Sequence, residues 1–281
     1  MQNSIGLVGY GIVGQAVEYG FKSEPIFTYD KFKESLTLEE VCKKSEFIFI
    51  CVPTPVISDY SGIDLSIVED VVSDVAKLID GTDKILVIKS TVIPGTTKRL
   101  AKKYSKVHFA FNPEFLTEAN FLEDFVNADR CIVGAENDLV SRRLVALYKK
   151  HFPKMLTFQT DPTTAEMVKY MANCLLATKV IFANEMYDLC EKLGISYPEV
   201  KKFVVSDSRI EDDHLDVTSV RGFGGKCFPK DLLALKGLAK KLGSDTTLMS
   251  AVWEKNLKIR KVHDWEEIPF AVSEKKSTNA R

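Results

Sequence analysis

Ile5-Gly6-Leu7-Val8-Gly9-Tyr10-Gly11-Ile12-Val13-Gly14, close to the start of the chain, is an apolar run that ends in a glycine-spaced turn and leads into a helical pattern. In a strand–turn–helix setting each glycine has a physical use. Gly9 permits the tight turn, Gly11 lets backbone come close to a diphosphate, and Gly14 lets the helix pack against the strand. The helix that opens at Ile12 and Val13 then points amide donors and the positive end of its dipole at the phosphates. Asp30 stands about 20 residues further on, at the end of the next strand pattern, where a carboxylate accepts both ribose hydroxyls and repels a 2′-phosphate. Turn, helix start and acid together predict a Rossmann-type dinucleotide site that takes NAD rather than NADP.

Outward from this turn, short β runs alternate with helical stretches. The candidate strands are Ser4–Val8, Pro25–Tyr29, Phe47–Val52, Lys84–Ser90, His108–Phe111, Cys131–Val133 and Met155–Gln159. Asp64–Ile79 is an amphipathic helix with Ile67, Val68, Val71, Val72, Val75 and Leu78 on one stripe, and Asp138–Lys150 is another. This pattern predicts an α/β fold over residues 1–160, a doubly wound, mostly parallel sheet covered on both faces. After Thr160 the texture changes. Asp161-Pro162 is an N-cap followed by proline at the first helical position, and no proline or glycine interrupts the next stretch up to about Leu193. A helix of roughly thirty residues, about 45 Å long, follows. Helices of that length bridge two lobes or form a subunit interface. Gly194 closes it, and helices at Tyr197–Val205, Leu232–Leu242 and about Asp245–Lys261 complete an all-α domain over residues 161–261. The tail, 262–281, has mixed charge and no period, and partial disorder is expected there.

The 281 residues are 45% apolar and 27% charged with a net charge of -1, which gives no reason to expect nucleic acid or an anionic membrane as partner. The apolar run Phe47–Pro53 is too short to span a bilayer, and no N-terminal signal pattern precedes the glycine turn. Six cysteines (42, 51, 131, 174, 190 and 227) include no Cys-x-x-Cys pair. Reduced thiols in a cytoplasmic protein without a metal site are the plain expectation. Cys227 stands apart.

In a doubly wound sheet the ligand lies at the carboxyl ends of the strands. Val52-Pro53-Thr54-Pro55 and Lys89-Ser90-Thr91-Val92-Ile93-Pro94-Gly95-Thr96-Thr97 follow the third and fourth strands there. Thr96 and Thr97 read as a turn and helix cap, and Thr91 reads equally as turn residue or active-site hydroxyl. Asn112-Pro113-Glu114-Phe115-Leu116-Thr117-Glu118 follows the fifth strand and places two carboxylates four apart, which a helical turn would aim the same way. Taken alone, such a pair is surface charge at a helix start. Lys169 and Asn173 stand at i and i+4 between Ala165 and Ala177, either a face with room for a ligand or a solvated one. Arg221-Gly222-Phe223-Gly224-Gly225-Lys226-Cys227-Phe228-Pro229-Lys230-Asp231 is the strongest segment. Its glycines allow close backbone approach. A thiol ahead of a helix that starts near Pro229, with Lys226 and Lys230 beside it, is set up as a nucleophile.

The glycine turn, Ser90–Thr96, Asn112–Leu116, Lys169…Asn173…Asn184-Glu185 and Gly222–Asp231 occur in an order that resembles the UDP-glucose 6-dehydrogenase / GDP-mannose dehydrogenase family, over about residues 3 to 260. The resemblance implies oxidation of a nucleotide-sugar C6 alcohol, most simply that of UDP-glucose, to the carboxylate with two NAD. In that scheme Lys169 and Asn173, with a water held by Thr91 and Asp231, manage the first hydride transfer. Cys227 then forms a thiohemiacetal and a thioester, and Glu114 assists its hydrolysis. Pro53, Thr54, Thr91, Glu118 and Lys230 would face the cofactor. Phe115, Leu116, Thr117, Glu118, Arg221, Phe223, Gly224 and Gly225 would contact the sugar and diphosphate, with Lys169 and Asn173. Thr117 departs from the pattern, since many members carry arginine there. Members also continue into a C-terminal UDP-binding domain, which this sequence is expected to lack, and they dimerise through the long central helix. Two other readings stand beside this one. A non-catalytic NAD-binding module or subunit would bind cofactor without nucleotide sugar. A β-hydroxyacid dehydrogenase shares a Rossmann domain followed by a long helix and uses a lysine with a nearby asparagine, but needs no cysteine loop.

Overall fold

The computed structural model describes residues 3–273. In chain order the elements are β1 (Ile5–Val8), α1 (Ile12–Gly20), β2 (Ile26–Tyr29), α2 (Leu38–Lys44), β3 (Phe47–Ile50), β4 (Val56–Ile57), α3 (Ser66–Ile79), β5 (Ile85–Ile88), α4 (Thr96–Lys103) and β6 (His108–Phe111). There follow α5 (Phe121–Val126), β7 (Arg130–Gly134), α6 (Asp138–His151), β8 (Leu156–Thr160), α7 (Pro162–Leu193), α8 (Tyr197–Val204), α9 (Cys227–Lys241), α10 (Thr247–Ile259), α11 (Asp264–Glu267) and β9 (Val272–Ser273). They fall into two compact units. One holds the chain up to Thr54 together with Asp64–Lys169, the other Pro55–Ile63 and the described residues from Tyr170 onward.

The first unit is built on a seven-stranded sheet in the order β2-β1-β3-β5-β6-β7-β8. All its neighbours are parallel except β6 and β7, which meet antiparallel at Phe111 and Gly134. Ile5 pairs with both Ile26 and Phe47, and Phe47 with Ile85, so the central strands end level at one edge. Period-two alternation explains why the central strands are apolar throughout. Leu7, Phe49 and Val87 pack on one face with Ala16 and Val17 of α1 and Leu144 and Tyr148 of α6. Val8, Ile48, Ile50 and Ile88 pack on the other with Val68, Val72 and Val75 of α3. Phe21 is fully buried, edge-on to Phe125 and Tyr148. Burying such a ring contributes about 2–3 kcal/mol.

Helix α7 begins as its sequence predicts. The Asp161 carboxylate accepts from the Thr164 amide, and Gly194 turns the chain at φ +71°. The helix runs 32 residues, the first unit's share ending at Lys169. In the second unit Cys174, Ala177 and Ile181 of α7 pack with Leu232, Leu233, Val252 and Trp253. The tail differs from expectation over residues 262–273. There Trp265 is buried against Trp253, and β9 pairs in parallel with β4. Apolar burial orders a segment whose local sequence has no period. The rest of the tail, 274–281, lies outside the described residues. Among the described residues no helix is long and apolar enough to cross a membrane.

Candidate active site

At the glycine turn Gly9 has φ +96°, and a Cβ on Gly14 would lie 2.3 Å from the Gly9 carbonyl oxygen, so both positions require glycine. Around Gly11 there is open space: nothing lies within 4 Å of where its Cβ would be. Gly11 is also the N-cap of α1, supplies no capping side chain, and is followed by Ile12 and Val13 with no acid in the first turn. The helix therefore offers uncapped amides toward that space, as an anionic diphosphate needs. Asp30 is held beside the turn, one oxygen accepting from the Tyr10 amide at 2.7 Å and the other from the Phe32 amide at 2.9 Å. The residues present thus fit a dinucleotide.

The loops after β3 and β5 are tied together. Ser90 Oγ donates to the Val52 carbonyl at 2.7 Å, next to exposed Pro53 and buried Thr54. Thr91 is buried in the following loop. Thr96 and Thr97 are the first residues of α4, Thr96 Oγ1 donating to the Ile93 carbonyl in the turn, but the N-cap position is Gly95 and neither threonine caps the helix. That helix start is capped by a residue that sequence reading passed over. Glu166 of α7 accepts from the Gly95 amide at 2.5 Å and the Thr97 amide at 2.8 Å. It is fully buried, and burial pushes its carboxyl up to about 7.

The Glu114 segment corrects an expectation. Residues 112–117 form an extended loop, not a helical turn, and Glu114 is buried whereas Glu118 is exposed. The reason is local: Asn112 precedes proline, which disfavours helix, and Glu114 turns its carboxylate onto the Leu116 amide at 2.8 Å. Its other oxygen lies 2.9 Å from Lys169 Nζ, both side chains being buried. Lys169 also sits over the Phe115 ring, 5.6 Å from its centre. Burial rules out the solvated-face reading of Lys169. Thr117 gives its amide and hydroxyl to Asp124, and Leu116 packs on the core. A second buried cation holds the loop from beneath. Lys89 Nζ donates to Asn112 Oδ1 at 2.8 Å, and Tyr148 donates to the same oxygen at 2.6 Å. Sequence reading missed Lys89; its one signal was a lysine ending an otherwise apolar strand.

One turn beyond Lys169 on α7, Asn173 belongs to the second unit. Its amide donates to Asp231 at 2.5 Å, and Lys230 pairs with the other Asp231 oxygen at 2.5 Å. Asp231 is completely buried. Cys227 is the first residue of α9, so that helix starts earlier than the sequence pattern suggests, with Pro229 inside its first turn where no amide is missed. It is the one described cysteine that is not buried. Burial pushes the thiols of Cys51, Cys131 and Cys174 up to about 12, which keeps them protonated. Ahead of it, Arg221 stands at φ +58° with its guanidinium on Asn184 and Asp188 of α7. Asn256 of α10 clamps Phe223, accepting from its amide at 2.8 Å and donating to its carbonyl at 3.1 Å. Gly224 and Gly225 complete the loop. The structure thus joins Glu114 to Lys169 in the first unit and Asn173 to Asp231 and Lys230 in the second.

Residues 24–152 match the NAD binding domain, and residues 163–258 the central domain, of the UDP-glucose/GDP-mannose dehydrogenase family. A UDP-glucose 6-dehydrogenase of Rickettsia felis is 40% identical over 220 residues, covering 76% of this chain and 48% of that one. The chain spans about half the length of the curated relatives it matches. A UDP-glucose dehydrogenase structure from the archaeon Pyrobaculum islandicum superposes with a TM-score of 0.83 at 30% identity, covering 92% of this chain and 68% of that one. The 3-hydroxyisobutyrate dehydrogenase of Mycobacterium tuberculosis, with a TM-score of 0.73 over 96% of this chain and 97% of its own, shares the fold at only 15% identity. Two domain matches in family order and a 30%-identical structure over most of both chains place this protein in the UDP-glucose/GDP-mannose dehydrogenase family.

Proposed function

We propose that the chain carries the dehydrogenase chemistry of a nucleotide-sugar 6-dehydrogenase acting on UDP-glucose. The observation that carries this reading is the buried pair of Glu114, on the loop after β6, with Lys169 of α7, in the same unit as the dinucleotide turn. A fully desolvated ion pair costs several kcal/mol to bury and is kept where its charges have work to do. When bound, NAD supplies the hydride acceptor for each of two successive oxidations. Lys169 and Asn173 donate hydrogen bonds to the C6 oxygen as that oxygen loses its proton and the C6 carbon its hydride, and Thr91 with Asp231 holds the water that carries the proton away. The Cys227 thiolate then adds to the aldehyde carbon. Loss of a second hydride leaves a thioester, which water cleaves as Glu114 takes its proton, returning the thiolate and releasing the carboxylate. One oxygen comes from water and two hydrides leave.

NADH formation with UDP-glucose and a panel of related nucleotide sugars tests this, and inactivity with every sugar overturns it. The proposal includes a homodimer through α7. That helix leaves Met167, Met171, Leu175, Phe182, Leu189 and Leu193 exposed along its length, spaced so that they follow one stripe. Light scattering should give twice the chain mass. A monomer at micromolar concentration refutes the dimer.

A further inference from the structure

Three amides of the loop before Cys227 are taken up by side chains from three different places. Gly222 donates to Asn184 of α7 and Phe223 to Asn256 of α10. The third, Gly225, donates to Asp264 Oδ2 at 3.2 Å. Asp264 lies beyond residue 258, where the match to the family's central domain ends, in the segment whose sequence has no period. We propose that Asp264 is a positioning residue for the cysteine loop, and that the strap of residues 261–273 is a built part of this unit's reactive site. The inference rests on the reading of Cys227 as nucleophile.

The strap is anchored well enough to act in this way. Trp265 is 2% exposed, packs against Trp253 at 5.5 Å and stacks on His263 at 4.7 Å. The Val56 amide donates to the Ala271 carbonyl at 2.7 Å, ahead of the β4–β9 pairing. Between strap and loop stands Arg260, whose side chain is 9% exposed. It donates to the carbonyls of Arg221 and Val262 at 3.0 and 2.9 Å and to Asp264 at 3.0 Å. The carboxylate is thus held by a guanidinium that also holds the first residue of the loop. Glycine at 224 is matched to this arrangement: a Cβ there would stand 2.2 Å from Asp264 Oδ1 and 2.3 Å from Arg260 Nη2. A coil amide with no partner would have to find water or a ligand. With Gly225 engaged, Asp264 holds the 224–225 peptide unit two residues before the thiol that opens α9.

The test reads the loop without requiring turnover, so a chain inactive with every sugar still answers it. Iodoacetamide alkylation of Cys227 in the full chain is followed by mass spectrometry against pH, with Cys227→Ser as background, alongside amide exchange of the 222–228 peptide. Asp264→Ala is expected to change the alkylation rate at least threefold, to shift its pH profile, and to speed exchange at least tenfold. Asp264→Asn keeps an oxygen acceptor for Gly225 and is expected to stay within twofold of the parent in both. Parental alkylation and exchange in Asp264→Ala overturn the proposal, as does an Asn variant no better than Ala. If the alanine variant does not fold, Asp264→Glu, with its oxygens one methylene further out, takes its place under the same thresholds.

Discussion

The chain has two glycine-rich segments, and they use glycine for opposite ends. At Gly9–Gly14 the middle glycine faces open space and the helix start has no side-chain cap, so the amides await a ligand. At Gly222–Gly225 three amides already donate to Asn184, Asn256 and Asp264, and glycine at 224 makes room for a carboxylate and a guanidinium of the same chain. The first segment is a cradle. The second is a fixture, and what it fixes is the helix start that carries Cys227. Glycine spacing alone cannot tell the two apart; the partners of the amides do.

The largest expected effect falls on the fixture. Cys227→Ser should lower acid formation at least about a thousandfold, because a hydroxyl lacks the thiolate's nucleophilicity, while NAD binding by calorimetry stays at the parental value. A serine variant that still oxidises alcohol to acid at the parental rate would return the chain to the cysteine-free chemistry of the hydroxyacid dehydrogenases.

Next comes a loop of the first unit that is held as firmly as the cysteine loop, though without glycine. Lys89 bonds Asn112 beneath the Glu114 segment, and its burial lowers the lysine's affinity for its proton. Lys89→Met keeps the volume and removes the donor. We expect it to cost about 3 kcal/mol, the scale for removing one partner from a buried polar network, visible as a fall in Tm of several degrees. An unchanged Tm would mean that Tyr148, which also donates to Asn112, suffices alone.

How far the sequence discloses these arrangements depends on the distance over which each is decided. The glycine turn, the cap at Asp161 and the stop at Gly194 are settled within a few residues and read directly. So do the seven strands of the large sheet, whose observed ends lie within two residues of the apolar runs, whereas the two-residue strands β4 and β9 were not among them. The Glu114 segment misled because carboxylates four apart suggest a helix, whereas Asn112-Pro113 and the carboxylate's bond to Leu116 decide a loop. The strap was hidden because its order comes from Trp253, and Lys89 and Glu166 because their partners, the Asn112 side chain and the Gly95 and Thr97 amides, lie far along the chain. Long-range polar satisfaction leaves no period in a sequence.

Glu166 makes one of those hidden contacts measurable. With its carboxyl raised from 4.5 to about 7 by burial, the folded chain holds a proton that the unfolded chain releases between those values. Its contribution to stability is therefore full below pH 4.5 and is lost as pH rises through 7, by at most about 3 kcal/mol. Glu166→Gln removes the titration. The stability difference, parent minus variant, should fall between pH 5 and pH 8 in denaturant titrations. A difference that stays flat across that window would mean the carboxylate is already ionised at pH 5.

The smallest effects test the opening contrast most directly, since one methyl group is placed in each segment. Gly11→Ala adds a Cβ where nothing lies within 4 Å, so Tm should hold within about a degree while NAD binds about tenfold more weakly, a loss of about 1.4 kcal/mol from crowding the diphosphate. Gly224→Ala adds a Cβ at 2.2 Å from Asp264 and 2.3 Å from Arg260, so the strap must shift, at a cost of about 1–2 kcal/mol in stability, with NAD affinity unchanged. The two variants should thus exchange their phenotypes, one losing ligand and keeping stability, the other the reverse. If Gly224→Ala were as stable as the parent, the side chains around it would be movable, and the loop before Cys227 would be a second cradle.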